Sequence, residues 1–171
     1  MDRKQFLLIM VVPGIVILGL VGVKLYTVYA GEEILLKVAP VDPRDMFRGD
    51  YIALTYEISQ ISLATVPSDS AFSSGEVIYA VLSKKEKYWT VDFVSHTRPS
   101  LGENQVFMKG RVRAVHGQYV RVEWGIESYF VAEGEGPTIE RMRNAELSVI
   151  VVVDNTGSSV LKQLLINDEP V

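Results

Sequence analysis

The chain has 171 residues, of which 48% are hydrophobic and 22% charged, with a net charge of −4 and no cysteine. The lack of cysteine excludes a disulfide framework, a thiol nucleophile and a lipoprotein anchor, and two histidines are few for a zinc site. Residues 1–30 hold three of the 17 basic and one of the 21 acidic residues, so residues 31–171 carry a net charge of −6. Nucleic acid is a poor partner for such an acidic domain.

The N-terminal segment contains 18 consecutive uncharged residues, from Phe6 to Val23. As a helix this run rises about 27 Å, close to the roughly 30 Å hydrocarbon core of a bilayer. Arg3 and Lys4 precede the run. Because positive charge flanking a membrane helix tends to stay inside, the N-terminus is predicted to be cytoplasmic.

This arrangement predicts a topology. Residues 1–30 are expected to form a cytoplasmic N-terminus and a transmembrane signal anchor, with residues 6–30 in contact with the lipid bilayer. Residues 31–171 are expected to form a single domain outside the cell membrane, in the periplasm or the extracellular space. The alternative is a cleaved signal peptide, since Val28-Tyr29-Ala30 fits the small-x-small pattern before a cleavage site. The run exceeds the roughly 7 to 15 apolar residues of a secretory signal, which favours a retained anchor.

The rest of the chain has the pattern of β-structure. Short runs rich in Val, Ile, Tyr and Phe are separated by clusters of Gly, Pro, Ser and Asn, which is typical of an antiparallel β-barrel or sandwich. The prediction is therefore a mainly β domain with one short helix at Pro137–Asn144, where proline precedes apolar residues at helical spacing. The predicted strands are Glu33–Val38, Tyr51–Ile58, Glu76–Ser83, Tyr88–Ser95, Val106–Val115, Tyr119–Trp124, Ser128–Ala132, Ala145–Asp154 and Val160–Ile166.

Two hairpins follow from these strands. In the first, the four charged residues 84–87 are predicted to form the tip between two strands. In the second, a three-residue loop at residues 116–118 would pair Val112 with Val122 and Ala114 with Val120. This loop length keeps the apolar side chains on one face of the pair.

The same register has a consequence for the opposite face. Arg111 would lie across from Glu123, and Arg113 across from Arg121. Like charges that face each other are unfavourable unless an anion shares them. Arg113 and Arg121 are therefore candidates for binding a carboxylate or a lipid phosphate. The alternative is a solvated face on which Glu123 and nearby acids balance the charge.

The densest local motif runs from Pro40 to Tyr56. Asp42-Pro43 and Gly49-Asp50 are turn signals placed before an alternating strand. The charged residues of this corner can pair with one another, or they can present a recognition surface near the edge of the sheet. The candidate binding residues of the motif are Arg44, Arg48, Asp50, Tyr51 and Tyr56.

This motif resembles a known family. Gly49-Asp50-Tyr51-x-x-Leu54-x-Tyr56 matches the signature of the GDYXXLXY bacterial membrane proteins at every defined position, and Tyr129-Phe130-Val131-x-Glu133-Gly134 is similar to it as well. The resemblance implies an N-terminally anchored protein without an established activity, often encoded beside multi-pass membrane proteins. It implies only a fold-defining role for the signature residues.

A weaker similarity concerns type I signal peptidases. Those enzymes follow a membrane anchor with Gly-Asp and a strand, and later with a lysine-containing strand and a hairpin, an order similar to Gly49-Asp50 and Lys109-Gly110-Arg111-Val112 here. With Gly49-Asp50 aligned, the serine position falls on Val41, which cannot act as a nucleophile. The sequence contains no motif for a metal or a nucleotide. We expect no catalytic residue, no metal and no cofactor.

Three functions remain. The favoured one is a membrane-anchored extracytoplasmic binding or accessory domain, a subunit or partner of a multi-pass membrane protein. An anchor favours this because confinement to the bilayer surface raises the effective concentration of the partner. One alternative is a hydrolase or degenerate peptidase on a signal-peptidase-like scaffold, which requires Lys109 in a cleft beside a hydroxyl or carboxylate. The other is an anion-sensing module, which requires Arg48, Arg113 and Arg121 to lie together.

Overall fold

The computed structural model describes residues 11–22, 29, 31–39, 51–130 and 145–170, with the backbone alone at 51, 52 and 130. A helix covers residues 11–22. Within the described ranges, no helix combines the length and the apolar character that crossing a bilayer requires. The transmembrane span and the division of the chain at residue 30 stay predictions. The predicted helix at Pro137–Asn144 lies outside the described residues, as do Arg44, Arg48 and Asp50.

The described part of the chain is mainly β. Its strands pair in antiparallel ladders, which confirms the predicted fold class at that level. The strands are β1 (Glu32–Lys37), β2 (Tyr51–Ala53), β3 (Gln60–Ser62), β4 (Val77–Lys85), β5 (Tyr88–Ser95), β6 (Gln105–His116), β7 (Tyr119–Glu123), β8 (Ser128–Phe130), β9 (Leu147–Val153), β10 (Ser159–Ile166) and β11 (Glu169–Pro170).

These strands form three sheets around one hydrophobic core. The largest sheet has five strands in the order β3-β7-β6-β4-β5 and is nearly closed, like a barrel. Its edge strand β5 lies against β1, which belongs to a four-stranded sheet of order β1-β9-β10-β11. The short pair β2-β8 completes the structure. Ile34 and Val149 of the four-stranded sheet share the core with Ile78 and Val112 of the five-stranded sheet.

The predicted strand Tyr51–Ile58 is wrong as a single element. β2 ends at Ala53, a 3-10 turn covers Glu57–Ser59, and β3 begins at Gln60. The turn forms because the Ser59 amide donates to the Tyr56 carbonyl at 2.9 Å. Alternating apolar residues misled the prediction, since an extended chain that buries every second side chain has the same pattern without a continuous ladder.

The turn between β6 and β7 is shorter than predicted. His116 pairs with Tyr119, so the loop has two residues, Gly117 and Gln118, instead of three. Gly117 has φ of 61°, and glycine at the first loop position is the preference of a type II′ turn. The local turn chemistry therefore decides the loop length.

A β-bulge restores the register farther from the turn. The pairing shifts between Val112 and Ala114, which leaves Arg113 as the extra residue. Ala114 consequently pairs with Arg121, so the predicted pairs Ala114–Val120 and Arg113–Arg121 are wrong. The pairing of Val112 with Val122 is confirmed, as is that of Arg111 with Glu123. The apolar face is kept by the bulge rather than by the loop length.

The tip of the β4–β5 hairpin is also shorter than predicted. Lys85 pairs with Tyr88, so Glu86 and Lys87 alone form the loop, and Lys84 belongs to β4. Glu86 takes the left-handed conformation, with φ of 55°, that such a tight loop needs.

Candidate functional site

The second half of the GDYXXLXY motif is buried. Leu54 is 2% exposed and Tyr56 is not exposed at all. The Tyr56 hydroxyl donates to the carbonyl of Ile126 at 2.5 Å, and the Leu54 amide donates to the carbonyl of Glu127 at 2.7 Å. These bonds tie the motif to the turn that precedes β8.

Tyr56 therefore lies in the core and not on a binding surface. Burial raises the pKa of its hydroxyl, and the Glu127 carboxylate raises it further, so the group stays protonated and keeps donating. Tyr51 begins β2, where it pairs with Phe130 of β8. The described part of the motif therefore connects β2 and the 3-10 turn with β8 and the turn that precedes it.

The turn that accepts these bonds is itself held by a carboxylate. Glu127 accepts hydrogen bonds from the backbone amides of Trp124 and Gly125, the second at 2.9 Å. Gly125 has φ of 82°, a conformation that favours glycine. This turn forms one wall of a surface cavity.

The cavity, here called the arginine cavity, has a volume of about 280 Å³. Arg113 reaches it from the β6 bulge and Arg121 from β7. Neither guanidinium hydrogen-bonds to or pairs with a residue in the ranges that the structure describes. The residues that line the cavity are Leu54, Thr55, Ser59, Gln60, Arg113, Arg121, Val122, Glu123 and Glu127.

Charge in this cavity is mixed. Glu123 and Glu127 share the wall with the two arginines. Glu127 already accepts two backbone N–H groups, so Glu123 is the carboxylate with more capacity to balance the guanidinium charge. The structure thus brings together the two arginines that the sequence singles out, with the carboxylates of Glu123 and Glu127 in the same cavity.

The arrangement required for a serine–lysine hydrolase is not present in the described residues. Lys109 is exposed on β6 and lies opposite Tyr79 of β4. Its side chain has no hydroxyl or carboxylate partner within the described ranges. Those ranges also contain no group of three or more His, Asp or Glu residues that could hold a metal ion.

Comparison with known proteins gives one match. The model of the GDYXXLXY protein family matches residues 13–164, which is most of the chain. The chain belongs to the GDYXXLXY family. No curated protein and no solved structure matches it, so the similarity of element order to signal peptidases is not shown. The matched residues include those that line the arginine cavity and those of a second polar cluster.

This GDYXXLXY protein has a second cluster around His96, just after β5. The His96 Nδ1 lies 2.7 Å from Asp69 Oδ1 and 3.2 Å from Ser70 Oγ, and Nε2 lies 3.4 Å from Glu76 Oε2. The ring stacks on Phe72 at 4.0 Å between centroids. The sequence does not predict this cluster, because its members are too far apart for a local motif.

The cluster shifts the pKa values of two of its members, His96 and Asp69. The hydrogen bond that the His96 ring donates to the Asp69 carboxylate raises the pKa of His96 despite partial burial, and Glu76 adds to the rise. Burial opposes ionisation of Asp69, but hydrogen bonds from the His96 backbone and ring prevail and lower the pKa of its carboxyl. The protonated imidazole and the ionised Asp69 carboxylate therefore stabilise each other.

Proposed function

We propose that this GDYXXLXY protein is a single-pass membrane protein whose extracytoplasmic β-rich domain binds a multi-pass membrane protein as an accessory subunit. One observation carries the membrane part of the proposal, the apolar surface of the helix at residues 11–22. Its eight large apolar side chains, from Val11 to Val21, are 49% to 72% exposed. No β-strand of the described chain covers them.

The energetic argument concerns those side chains. Fully burying a Val, Leu or Ile side chain is worth about 1.5 to 3 kcal/mol, so eight side chains left about half exposed in water forgo roughly 6 to 12 kcal/mol. That is comparable to the whole stability of a typical domain, about 5 to 15 kcal/mol. Lipid removes this cost.

The binding part of the proposal is supported by the family and by the surface of the domain. The resemblance to the GDYXXLXY family implies that the chain is encoded beside a multi-pass membrane protein, and we take such a protein as the partner. The described residues offer an open cavity and a histidine cluster at the surface as places where a partner can bind. A tether of this kind converts weak contacts into useful binding, since effective concentrations reach about the millimolar range.

Membrane extraction of the full chain tests the anchor. We expect the wild-type protein to stay in the membrane at alkaline pH and to show an intact N-terminus by mass spectrometry. Leu18→Glu places a charge on the apolar helix and should release much of the chain, because a carboxylate within a membrane helix costs about 2.5 to 3.5 kcal/mol. Tyr119→Glu, at an exposed strand end, is the matched control and should stay bound. Release of the wild type, or a mature chain that begins at Gly31, would contradict the anchor.

The partner is tested in the same membranes. After solubilisation in mild detergent, affinity purification of the wild-type chain should recover a multi-pass membrane protein at a constant ratio. The Leu18→Glu variant should lose it. Recovery of the same partner by both variants would show that binding does not depend on the anchor.

A second candidate function is anion binding in the arginine cavity. It is favoured by the meeting of Arg113 and Arg121 in one cavity without a described partner. At tenfold excess over Kd, a bound anion stabilises the fold by about 1.4 kcal/mol, which raises Tm by about 3 to 6 °C. Phosphate or sulfate should therefore raise Tm above chloride at equal ionic strength, and Arg121→Gln should abolish the difference. Lys109→Gln, which removes an exposed cation outside the cavity, should preserve it. Equal Tm in all three anions would exclude this function.

A further inference from the structure

The segment at residues 67–76, here called the strap, crosses from β5 to β6. At its first end the Val94 amide donates to the Pro67 carbonyl at 3.0 Å, and Ser68 forms a parallel bridge with Val94. At its second end Val112 of β6 donates to the carbonyl of Glu76 at 2.8 Å. The strap thus covers part of the free edge of β5.

Between these ends the His96 side chain contacts three residues of the strap. Asp69 Oδ1 lies 2.7 Å from His96 Nδ1. Asp69 Oδ2 accepts a hydrogen bond from the His96 backbone amide at 2.8 Å. Glu76 lies 3.4 Å from the other ring nitrogen. Phe72, which is 6% exposed, stacks on the ring with an interplanar angle of 11°. Three strap side chains therefore contact His96, and Glu76 Oε2 also accepts a hydrogen bond from the Ser73 amide at 2.7 Å.

The charged groups that face the ring are carboxylates. Asp69 and Glu76 are its ion-pair partners among the described residues. The nearest arginines by strand position are engaged elsewhere: Arg111 donates to the Gly75 carbonyl at 2.9 Å and Arg98 to that of Asn155 at 2.6 Å. Both cations bind backbone oxygens. Among these groups, the imidazole is therefore the one that pairs with Asp69 and Glu76.

Protonation decides how many carboxylates the ring can hold. A protonated imidazole has two N–H donors, one for Asp69 and one for Glu76. A neutral ring has one donor, so when Nδ1–H serves Asp69 the lone pair of Nε2 faces the Glu76 carboxylate. That contact is repulsive, and it is relieved when the Glu76 end of the strap moves away.

We propose that His96 is a pH-controlled latch, which holds both ends of the strap when the ring is protonated and releases the Glu76 end when the ring is neutral. The end of the strap that is released contacts Arg113, because the Ser74 hydroxyl in that end donates to the Arg113 carbonyl at 2.9 Å. Arg113 is the bulged residue that lines the arginine cavity. The latch therefore acts on the backbone that carries one of the two cavity arginines.

The direction of the pH effect follows from linkage. His96 has a raised pKa in the folded state, so its contribution is fully present below the unfolded value of about 6.5 and is lost as pH rises through the folded pKa. Asp69 has a lowered pKa, so its contribution is present above the unfolded value of about 3.9 and is lost as pH falls through the folded pKa. The strap is held most firmly in the mildly acidic range between the two transitions.

Hydrogen exchange of the full chain in detergent tests the latch. The Gly75 amide, which donates to the Val112 carbonyl at 2.8 Å, reports on the Glu76 end. Its protection, corrected for intrinsic exchange and divided by that of β9 amides in the same sample, should fall roughly fivefold from about pH 5.5 to about pH 8.5. An unchanged ratio would overturn the proposal.

Two variants separate the latch from a general loss of stability. Asp69→Asn should shift the NMR titration of His96 to lower pH and loosen the strap at about pH 5.5. Asp92→Asn is the matched control, because this carboxylate pairs with Lys85 at 3.0 Å. If Asp69→Asn and Asp92→Asn change strap and β9 protection alike, the role of Asp69 is structural and the latch is wrong.

Discussion

Replacing Tyr56 with phenylalanine removes one oxygen atom from the core and leaves the Ile126 carbonyl without its donor. The lost hydrogen bond is 2.5 Å long, and both residues are buried, with exposures of 0% and 4%. Leaving a buried polar group unsatisfied costs about 1 to 3 kcal/mol, and little water can reach this carbonyl. We therefore expect Tyr56→Phe to lose about 2 kcal/mol, which corresponds to a Tm about 4 to 8 °C lower for a chain of this size.

Thermal and urea unfolding, followed by circular dichroism, measure this loss. Tyr119→Phe is the matched control, since that side chain is 52% exposed and its hydroxyl has no partner in the described residues. A surface change of this kind should stay within about 0.5 kcal/mol. If the two variants are equally stable, the Tyr56 hydroxyl does not join the motif to the turn before β8, and the structural role given to it is wrong.

Three further changes test the packing of the domain. Gly110→Ala should lower stability by about 1 to 3 kcal/mol and shift tryptophan emission, because a Cβ there would lie 2.7 Å from the Trp124 ring. Glu127→Gln should lower the free energy of unfolding in urea by about 1 kcal/mol. A glutamine side chain has one oxygen, so it replaces the carboxylate for only one of the two backbone N–H donors. Asp168→Asn, which breaks an exposed 2.6 Å pair with Lys87, should change stability by less than about 0.5 kcal/mol; a larger loss would mean that the pair is structurally important.

The strands could be predicted where side-chain alternation is bounded by clear turn residues. β5 is predicted with the bounds that it has, since the charged tip fixes its start and His96 follows its end. The register of β6 and β7 could not be predicted, because either a three-residue loop or a bulge keeps the apolar residues on one face. The turn preference of Gly117 favours the two-residue loop with a bulge. The alternation of apolar residues in the sequence does not distinguish this arrangement from a three-residue loop.

The site residues show the same limit. Arg113 and Arg121 meet in one cavity, although they do not pair directly as predicted. Their proximity could be predicted from the hairpin, whose two strands are adjacent in sequence. The partners of His96 could not, because Asp69 is 27 residues away and joins it only when the strap folds across β5 and β6. Contacts of this range depend on the tertiary fold and leave no local pattern.

Thiol labelling of intact cells tests the central claim most directly, since the chain contains no cysteine and any introduced cysteine reports alone. A Gln118→Cys variant places the thiol at the exposed β6–β7 turn, and an Asp2→Cys variant places it before the uncharged run. A membrane-anchored domain outside the cytoplasmic membrane predicts labelling of Gln118→Cys by an impermeant maleimide in spheroplasts, with Asp2→Cys labelled only after lysis. Labelling of Asp2→Cys in intact spheroplasts, or protection of Gln118→Cys until lysis, would contradict it.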